Sequence, residues 1–384
     1  MPVNETADPG DGPPQLDVDA ILADRAIRIV VCCGSGGVGK TTTAAALALR
    51  AAEDHGRRTV VLTIDPARRL AQALGLTELD NTPRQVKGLQ PDSAELQAMM
   101  LDMKRTFDEV VLAHTDPKKA EEIFANPFYQ AMSSTFSGTQ EYMAMEKLGQ
   151  LRELDAWDLI VVDTPPSRSA LDFLDAPARL SRFLDGRMLR LLLAPARAGG
   201  RSVFNLVSAS FGLFSRTVTK ILGAQLLTDL SGFVGALDSM FGGFRERAEQ
   251  TYRVLQAPET AFLVVAAPEP DAVREAVYFA GRLEAERMPL AGLVLNRVVK
   301  VAAPQLSSAD ARAAADRLDE QGVHPATAEV LRVHADLFDQ HDRQTAVADR
   351  FLRAYPAVPV VQIPAQPADV HDLDGLRAIG STFE

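Results

Sequence analysis

The chain has 384 residues, of which 47% are hydrophobic and 24% are charged, as in ordinary folded globular proteins. This length accommodates one large α/β domain with an elaboration, or two domains. The formal net charge of −11 argues against broad nucleic-acid binding, which needs a basic surface, so we expect no nucleic-acid partner. The two cysteines, Cys32 and Cys33, are adjacent and rarely pair in that arrangement, which predicts a reduced, cytoplasmic protein. No apolar run reaches the ~18 residues needed to span a membrane.

The chain begins with an acidic lead, followed by a strand–loop–helix–strand pattern. Residues 1–15 are rich in proline, glycine and acidic side chains, and we expect them to be disordered. Ala26–Cys33 is a β-branched apolar run typical of a buried parallel strand. Thr42–His55 has helical periodicity, and Arg58–Ile64 resembles the first strand. Together these segments predict a βαβ unit.

Strands and helices alternate through the rest of the chain, interrupted by two long helical stretches. Further strands are predicted at Trp157–Val162, Ala261–Ala267, Leu290–Leu295 and Val358–Ile363, and further helices at Asp271–Glu286 and 308–353. The stretches at about 78–150 and 170–255 are mostly helical by pattern and predict a helical subdomain inserted in the chain. We therefore predict an α/β fold, with a mostly parallel sheet flanked by helices, in one domain over residues 16–384.

Polar or turn-forming residues follow five of the predicted strands. They are Gly34, Asp65, Asp163, Asn296 and Pro364. Because the carboxyl ends of parallel strands meet at one edge of a sheet, and ligands bind beyond that edge, we expect these residues to converge on one site.

The segment Gly34-Ser35-Gly36-Gly37-Val38-Gly39-Lys40-Thr41 matches the Walker A pattern of nucleotide-binding P-loops. Its glycines let backbone N–H groups turn toward phosphate oxygens, and the helix that follows directs its positive N-terminus at the same anion. Lys40 supplies a charge near the terminal phosphates, and Thr41 offers a hydroxyl to Mg²⁺. The segment lies between a predicted strand and a predicted helix, as this mechanism requires. We therefore predict a P-loop NTPase that binds ATP through Gly34–Thr41 and Thr42.

Two aspartates complete the chemistry that ATP hydrolysis needs. One carboxylate must orient or deprotonate the attacking water, and another must hold Mg²⁺ through its water shell. Asp163 follows four apolar residues, which is the Walker B pattern, and is predicted to hold the metal with Thr41. Asp65 begins the segment Asp65–Leu70, which can act as a switch that senses the terminal phosphate, so Asp65 is the predicted catalytic residue.

These motifs together resemble the ArsA / guided-entry-of-tail-anchored-protein ATPase family, which belongs to the deviant Walker A class with MinD, ParA and nitrogenase iron protein. The resemblance covers about residues 26–380. It is carried by Gly34–Thr42, Thr63–Ala67, Asp163–Pro166 and Leu295–Arg297.

The resemblance implies a dimer with two nucleotides at its interface, whose closure assembles a groove for a client. It implies that Asp65 positions the hydrolytic water and that the Asp163 segment is a second switch. It also implies that Asn296 and the loop from Pro364 hold the adenine, and that the helical insertions form the client-handling subdomain.

The sequence departs from the family pattern at several positions. The family's signature lysine, which reaches across the dimer to the partner's phosphates, is here Ser35. We therefore hypothesise a heterodimer with a paralogue that keeps this lysine. The switch segments also differ: Asp65-Pro66-Ala67-Arg68-Arg69 stands where the family has His and Asn after Ala, and Pro166-Ser167-Arg168-Ser169 where it commonly has Gly and His.

The resemblance leaves several functions open. The leading prediction is a dimeric ATPase that couples ATP-driven closure to handling of an apolar client, as a targeting factor or chaperone, with transient membrane association through a partner. A regulatory nucleotide-binding subunit of a heterodimer is the main alternative. A metalloid-efflux ATPase is disfavoured because the thiolates that bind arsenite are missing, as is the Cys-x-x-Cys of the family's interfacial zinc, so no zinc is expected. A MinD-like or ParA-like switch is disfavoured by the acidic C-terminus and the overall charge.

Three weaker features have both structural and functional interpretations. Six methionines between residues 99 and 145 either fill a core or line a pliable groove. The apolar run Leu189–Ala194, with Phe204, Phe211, Phe214 and Phe233, is either a core or a client groove. Six arginines between Arg179 and Arg201 form either a solvated face or a docking surface. No role is predicted for the six histidines.

Overall fold

The computed structural model describes residues 13–65, 69–127, 129–130, 139–165 and 246–383. Disorder is predicted for residues 1–15. Residues 1–12 lie outside the described residues, whereas Pro14 accepts the backbone N–H of Val360 at 2.8 Å and Gln15 forms a β-bridge with Val360, so the prediction is wrong for these two residues. The apolar run at 189–194 with its phenylalanines and the arginine cluster also lie outside the described residues. The chain divides into two compact units. The first comprises Met1–Met100, Asp155–Leu171 and Leu255–Glu384, and the second comprises Leu101–Leu154 and Asp172–Val254.

The first unit contains an eight-stranded sheet. Its strands are β1 (Ile29–Cys33), β2 (Thr59–Thr63), β3 (Arg84–Gln85), β4 (Leu96–Met100), β5 (Leu159–Asp163), β6 (Thr260–Ala266), β7 (Leu290–Val298) and β8 (Val360–Pro364). They lie in the order β3-β4-β2-β5-β1-β6-β7-β8, and only β3 is antiparallel to its neighbour. The predicted mostly parallel α/β fold is therefore confirmed.

Both faces of the central strands are buried, as expected for a parallel sheet covered by helices on each side. All five residues of β1 and all seven of β6 are buried. The helices of this unit are α1 (Val18–Ala23), α2 (Lys40–Glu53), α3 (Arg69–Ala73), α7 (Pro270–Ala285), α8 (Ser308–Glu320), α9 (Pro325–Ala354) and α10 (Leu373–Gly380). Helix α2 is rich in alanine and buries most of its surface in one core with the sheet, which lets it lie close to the strands.

Arg57 joins the segments that lead into the sheet at its other edge, where the parallel strands begin. Its side chain is fully buried, and its guanidinium donates to the backbone carbonyls of Leu22, Asp24, Ile27 and Asp158. Burial lowers the pKa of Arg57 to about 10, so the group stays charged at neutral pH. These bonds hold α1 and the starts of β1 and β5 together.

The prediction of a mostly helical stretch from residue 78 is wrong for its first part, because β3 and β4 belong to the sheet. The β4 sequence, Leu-Gln-Ala-Met-Met, contains good helix formers and no β-branched residue. Five register pairs with β2 nevertheless make it a strand, since pairing and burial outweigh intrinsic preference in a sheet.

The second unit is helical in its described part. It contains α4 (Met103–His114), α5 (Pro117–Ala125), α6 (Thr139–Leu154) and a helical stretch at residues 246–256 that ends in the first unit. Asp102 and Asp116 begin α4 and α5 by accepting a backbone N–H of the first turn.

Buried residues and ion pairs hold the described helices of the second unit together. Met143 and Met145 of α6 are fully buried, so these two methionines serve packing. The nearly buried Glu146 accepts from Arg247, and Lys147 pairs with Glu109 at 3.0 Å. Among the described helices of both units, none is long and apolar enough to cross a membrane.

Candidate functional site

The Gly34–Gly39 loop connects β1 to α2, and its path depends on glycine at two positions. Gly39 has φ = 93°, and a Cβ atom there would lie 2.1 Å from Asn296 Nδ2. A Cβ atom on Gly34 would lie 2.1 Å from the carbonyl oxygen of Val265 on β6. Both distances are far below van der Waals contact, so the loop can reach this conformation only without side chains at these positions.

Lys40 is the first residue of α2 and is only 5% exposed. Its ammonium donates to the carbonyl oxygen of Ser35 at 2.7 Å, which folds the side chain back over the loop. Burial lowers the pKa of Lys40, while the negative charge of Asp163 acts in the opposite direction. The loop therefore encloses a cation at its centre, where a phosphate chain would need one.

Asp163 ends β5 beneath the loop and is fully buried. Its Oδ2 atom accepts from the hydroxyls of Thr41 at 2.7 Å and Thr63 at 2.9 Å. Its Oδ1 atom has no hydrogen-bond partner among the described residues. Burial raises the pKa of Asp163 from 3.8 to about 6, against the lowering effect of the two hydroxyls.

This arrangement fits a divalent cation. A buried carboxylate oxygen without a partner is costly, and a hard cation prefers oxygen ligands such as carboxylate and hydroxyl. Asp163 and Thr41 are therefore the residues that could hold Mg²⁺, either directly or through its waters.

Asn296 is used by the protein itself. Its Nδ2 atom donates to the carbonyl oxygen of Val38 at 2.8 Å, and its Oδ1 atom accepts the backbone N–H of Arg297 at 2.9 Å. The end of β7 thereby supports the P-loop across 258 residues of sequence. Arg297 has φ = 64°, an uncommon conformation for a residue with a side chain. The predicted adenine contact of Asn296 stays a prediction.

A cavity of about 470 Å³ opens over the loop, within the range that suits a small-molecule ligand. Six of the predicted site residues line it: Gly37, Gly39, Lys40, Thr41, Thr42 and Asp65. The others are not part of its lining. Ser35, Gly36 and Val38 belong to the same loop, Asp163 lies below, and Pro364 ends β8.

Seven further residues line the cavity without having been predicted. They are Arg69, Gln72 and Ala73 of α3, Arg297 near the end of β7, and Asp369, Val370 and His371 before α10. The last three residues belong to the segment after Pro364, which the family resemblance implies to hold the adenine, and they begin five residues after Pro364. No role is predicted for any histidine, and no signal in the sequence indicates His371, because an isolated histidine in a loop belongs to no motif.

A family model gives the relationship of this chain to known proteins. The model of the anion-transporting ATPases, ArsA type, matches residues 27–321, which is more than three quarters of the chain. The chain belongs to the anion-transporting ATPase family. The resemblance inferred from the four motif segments is thereby confirmed.

Individual relatives of the family are distant. The chain is 23% identical to ATPase GET3A of Arabidopsis thaliana over 371 residues, which cover 96% of this chain and 87% of the relative. It is 28% identical to ATPase GET3 of Malassezia globosa over 172 residues, 45% of this chain and 48% of the relative. A Halobacterium salinarum protein provisionally named an arsenical pump-driving ATPase is 31% identical over 199 residues, 48% of this chain and 29% of the relative. The chain thus spans about half or less of several curated relatives that it matches.

The two segments interpreted as switches are described only in part. Asp65 and Arg69 are described, whereas residues 66–68 between them and residues 166–169 after β5 lie outside the described residues. The site therefore consists, in its described part, of the loop, the ends of β2, β5 and β7, α3 and the segment before α10.

Proposed function

We propose that this chain binds ATP with Mg²⁺ over the Gly34–Thr41 loop and hydrolyses it. The observation that carries the proposal is the joint placement of Lys40, Thr41 and Asp163. A buried cation, a hydroxyl and a carboxylate with a partnerless oxygen meet beneath one cavity. A buried carboxylate oxygen without a partner in the described part of the chain, next to a glycine loop that precedes a helix, calls for an explanation, and a bound cation supplies one.

Each part of the loop has a separate task in holding the triphosphate. The backbone N–H groups of Gly37–Lys40 and the N-terminus of α2 bind phosphate oxygens, and Lys40 neutralises part of their charge. Thr42, the third residue of α2, lines the cavity and can donate its hydroxyl to the same phosphate chain. Thr41 and Asp163 hold the cation, which when bound draws charge from the terminal phosphates and so stabilises the leaving group.

Asp65 is the proposed residue for positioning the hydrolytic water. It is the second residue after β2, lines the cavity, and is half-buried rather than enclosed. A carboxylate there can accept a hydrogen bond from water on the side of the phosphates away from the loop. Asp163 cannot take this part, because it lies beneath Thr41 and Thr63 and both hydroxyls occupy one of its oxygens.

We further propose that the chain acts in a dimer that handles an apolar client. Membership in the family, whose relatives include two ATPases named GET3 and GET3A, supports this proposal. Ser35 removes a lysine that the family resemblance assigns to the partner's phosphates, so the preferred partner is a paralogue that retains it. The regulatory alternative, in which this chain binds ATP without turning it over, rests on the same serine.

Metalloid transport is less well supported by the described residues. Both cysteines lie within β1 and are fully buried, and burial raises the pKa of Cys33 to about 12. Because the thiolate is the form that binds arsenite or a soft metal, a buried neutral thiol makes a poor ligand.

Two substitutions test the proposal on the full-length chain. Asp65→Asn should bind ATP about as tightly as the unchanged protein but lose turnover, because the amide cannot take a proton from water. Lys40→Ala should lose ATP binding itself. ATP binding by calorimetry and phosphate release, each measured with and without the partner if one copurifies, give the two readouts. Unchanged hydrolysis in Asp65→Asn would remove Asp65 from its proposed role, and unchanged ATP binding in Lys40→Ala would contradict the nucleotide site.

A further inference from the structure

Arg69 is the first residue of α3 and lies in the wall of the cavity over the P-loop. It shares this cavity with Gly37, Lys40, Thr41 and Asp65. It is also an exposed side chain, so its guanidinium is free to rotate toward a ligand. Arginine occupies this position where the family pattern has asparagine.

The backbone that carries Arg69 is firmly held. Leu70, Ala71 and Ala73 of α3 are buried in the core that also contains α2 and the sheet. Leu74 continues the helix by donating its backbone N–H to the carbonyl of Leu70 at 3.1 Å. The backbone of Arg69 is therefore held beside the cavity, while its exposed side chain can change rotamer.

Arg69 makes no hydrogen bond or ion pair with the described part of the protein. Most arginines of the first unit behave differently. Arg50 binds Asp19, Arg57 binds four carbonyls, and Arg377 binds Glu53. A guanidinium group is always charged and donates hydrogen bonds in a planar fork. Where it lines a cavity and has no partner in the described part of the protein, it is suited to bind an anion in that cavity.

We propose that Arg69 contacts the β- and γ-phosphates of ATP bound in its own subunit. In the family pattern, a lysine from the partner subunit brings positive charge to these phosphates, and Ser35 stands at the position of that lysine here. Arg69 supplies part of this positive charge from within the same chain. This inference rests on the proposed function, because it requires ATP in this cavity. It assigns a ligand contact to a residue whose type departs from the family pattern.

The charges that line the cavity support this assignment. Among the described lining residues the full cations are Lys40, Arg69 and Arg297, and the carboxylates are Asp65 and Asp369. Lys40 is already drawn to the Ser35 carbonyl inside the loop. Arg69 is an additional cation of the lining and lies four residues after Asp65, the residue proposed to position the attacking water.

The test compares three variants of the full-length chain, Arg69→Gln, Arg69→Lys and the control Arg274→Gln. Arg274 lies on α7, is 68% exposed, and pairs only with the exposed Asp271 among the described residues. ATP affinity is measured by calorimetry at several salt concentrations, and thermal unfolding without nucleotide checks the fold.

We expect Arg69→Gln to weaken ATP binding about tenfold to a hundredfold, the range for a lost hydrogen bond between charged groups. Its affinity should also depend less on salt, because one cation no longer contributes. Arg69→Lys should lie between, since it keeps the charge and loses the planar fork. Arg274→Gln should match the unchanged chain in both affinity and salt dependence.

Two results would overturn the inference. One is an Arg69→Gln variant that folds normally and binds ATP as the unchanged chain does. The other concerns both variants together. Arg69→Gln would lose ATP affinity and nucleotide-free stability to the same extent, whereas Arg69→Lys would fold stably and keep the affinity and salt dependence of the unchanged chain. If the unchanged chain and Lys40→Ala fail alike to bind ATP, the proposed function itself fails, which is a separate outcome.

Discussion

Asp163 shows how one residue can be unfavourable for folding and necessary for a site. Its carboxylate is fully buried, and only one of its oxygens is hydrogen-bonded among the described residues. Evolution normally removes such a group from a core, because each unsatisfied buried polar atom costs about 1–3 kcal/mol. Its retention at the end of β5 is understandable if a cation compensates for it when the protein is loaded.

The raised pKa of Asp163 predicts a pH dependence of stability in the absence of magnesium. The folded pKa of about 6 lies above the unfolded value of 3.8, so the folded protein holds the proton more tightly. Stability from this group is therefore fully present below about pH 4 and is lost as the pH rises through 6. Asp163→Asn removes this dependence, and at pH 7.5 it should unfold with a free energy about 1–3 kcal/mol higher than the unchanged chain.

Urea unfolding in EDTA at pH 4, 5, 6 and 7.5 measures this difference. The gap between the two proteins should close toward pH 4, where both side chains are neutral. Stabilisation by magnesium and ATP should appear only in the unchanged chain, which separates the metal site from a general effect on the core. An equal pH dependence in both proteins would show that burial does not raise the Asp163 pKa.

At the scale of elements, α10 connects the C-terminus to the helix that follows the P-loop. Leu376 and Ile379 are buried in the common core, and Arg50 of α2 donates to the carbonyl oxygen of Gly380 at 2.9 Å. Arg377 binds both oxygens of Glu53 at 2.8 and 3.0 Å. The cavity-lining segment 369–371 lies directly before α10, so the docking of this helix sets the position of that wall.

Arg377→Gln should therefore lower the free energy of unfolding by about 2 kcal/mol, because it removes the cation that pairs with the Glu53 carboxylate, which is only 3% exposed, and leaves that charge with the backbone N–H of Gln90. ATP affinity should fall as well, since residues 369–371 lose their support. Arg274→Gln serves as the control, because a surface pair of that kind contributes less than about 1 kcal/mol. Chemical denaturation measures the first effect and calorimetry the second. A variant as stable as the control would mean that Glu53 finds another partner.

The elements also show where local patterns succeed. The strands β1, β2, β5, β6, β7 and β8 lie within a few residues of their predicted positions, because each is a short apolar run bounded by polar or glycine residues. β3 and β4 do not show this pattern of an apolar run between polar or glycine residues. β3 has only two residues, and β4 owes its conformation to its pairing with β2.

At the scale of the whole molecule, the open question is which chain completes the site. The described residues include the glycine loop, a metal-compatible pair and Asp65, the proposed water-positioning residue, within one subunit, while Ser35 in the proposed heterodimer leaves the cross-subunit lysine to a partner. The heterodimer and the cis contact of Arg69 are compatible, because a local cation can support binding while a second subunit supports turnover.

Affinity purification of the full-length chain from native cells, with and without ATP, should recover a paralogue that carries the signature lysine. The recovered pair should hydrolyse ATP faster than the single chain, because only the pair places that lysine against the phosphates. Bound membrane segments in the eluate would support the targeting role. A purified single chain that forms a stable dimer with the full activity would contradict the heterodimer.

The sequence by itself determined the family and most strands of the sheet, and it predicted the chemistry of the loop and of the two aspartates. These features are local, since a phosphate loop or a buried strand is specified by neighbouring residues and their spacing. The tertiary structure decided which distant residues join them. It brought Asn296 to Val38 as a support for the loop, placed β4 beside β2, and put Arg69, Arg297 and His371 around one cavity. Such contacts depend on how helices and strands pack, which no single segment of the sequence encodes.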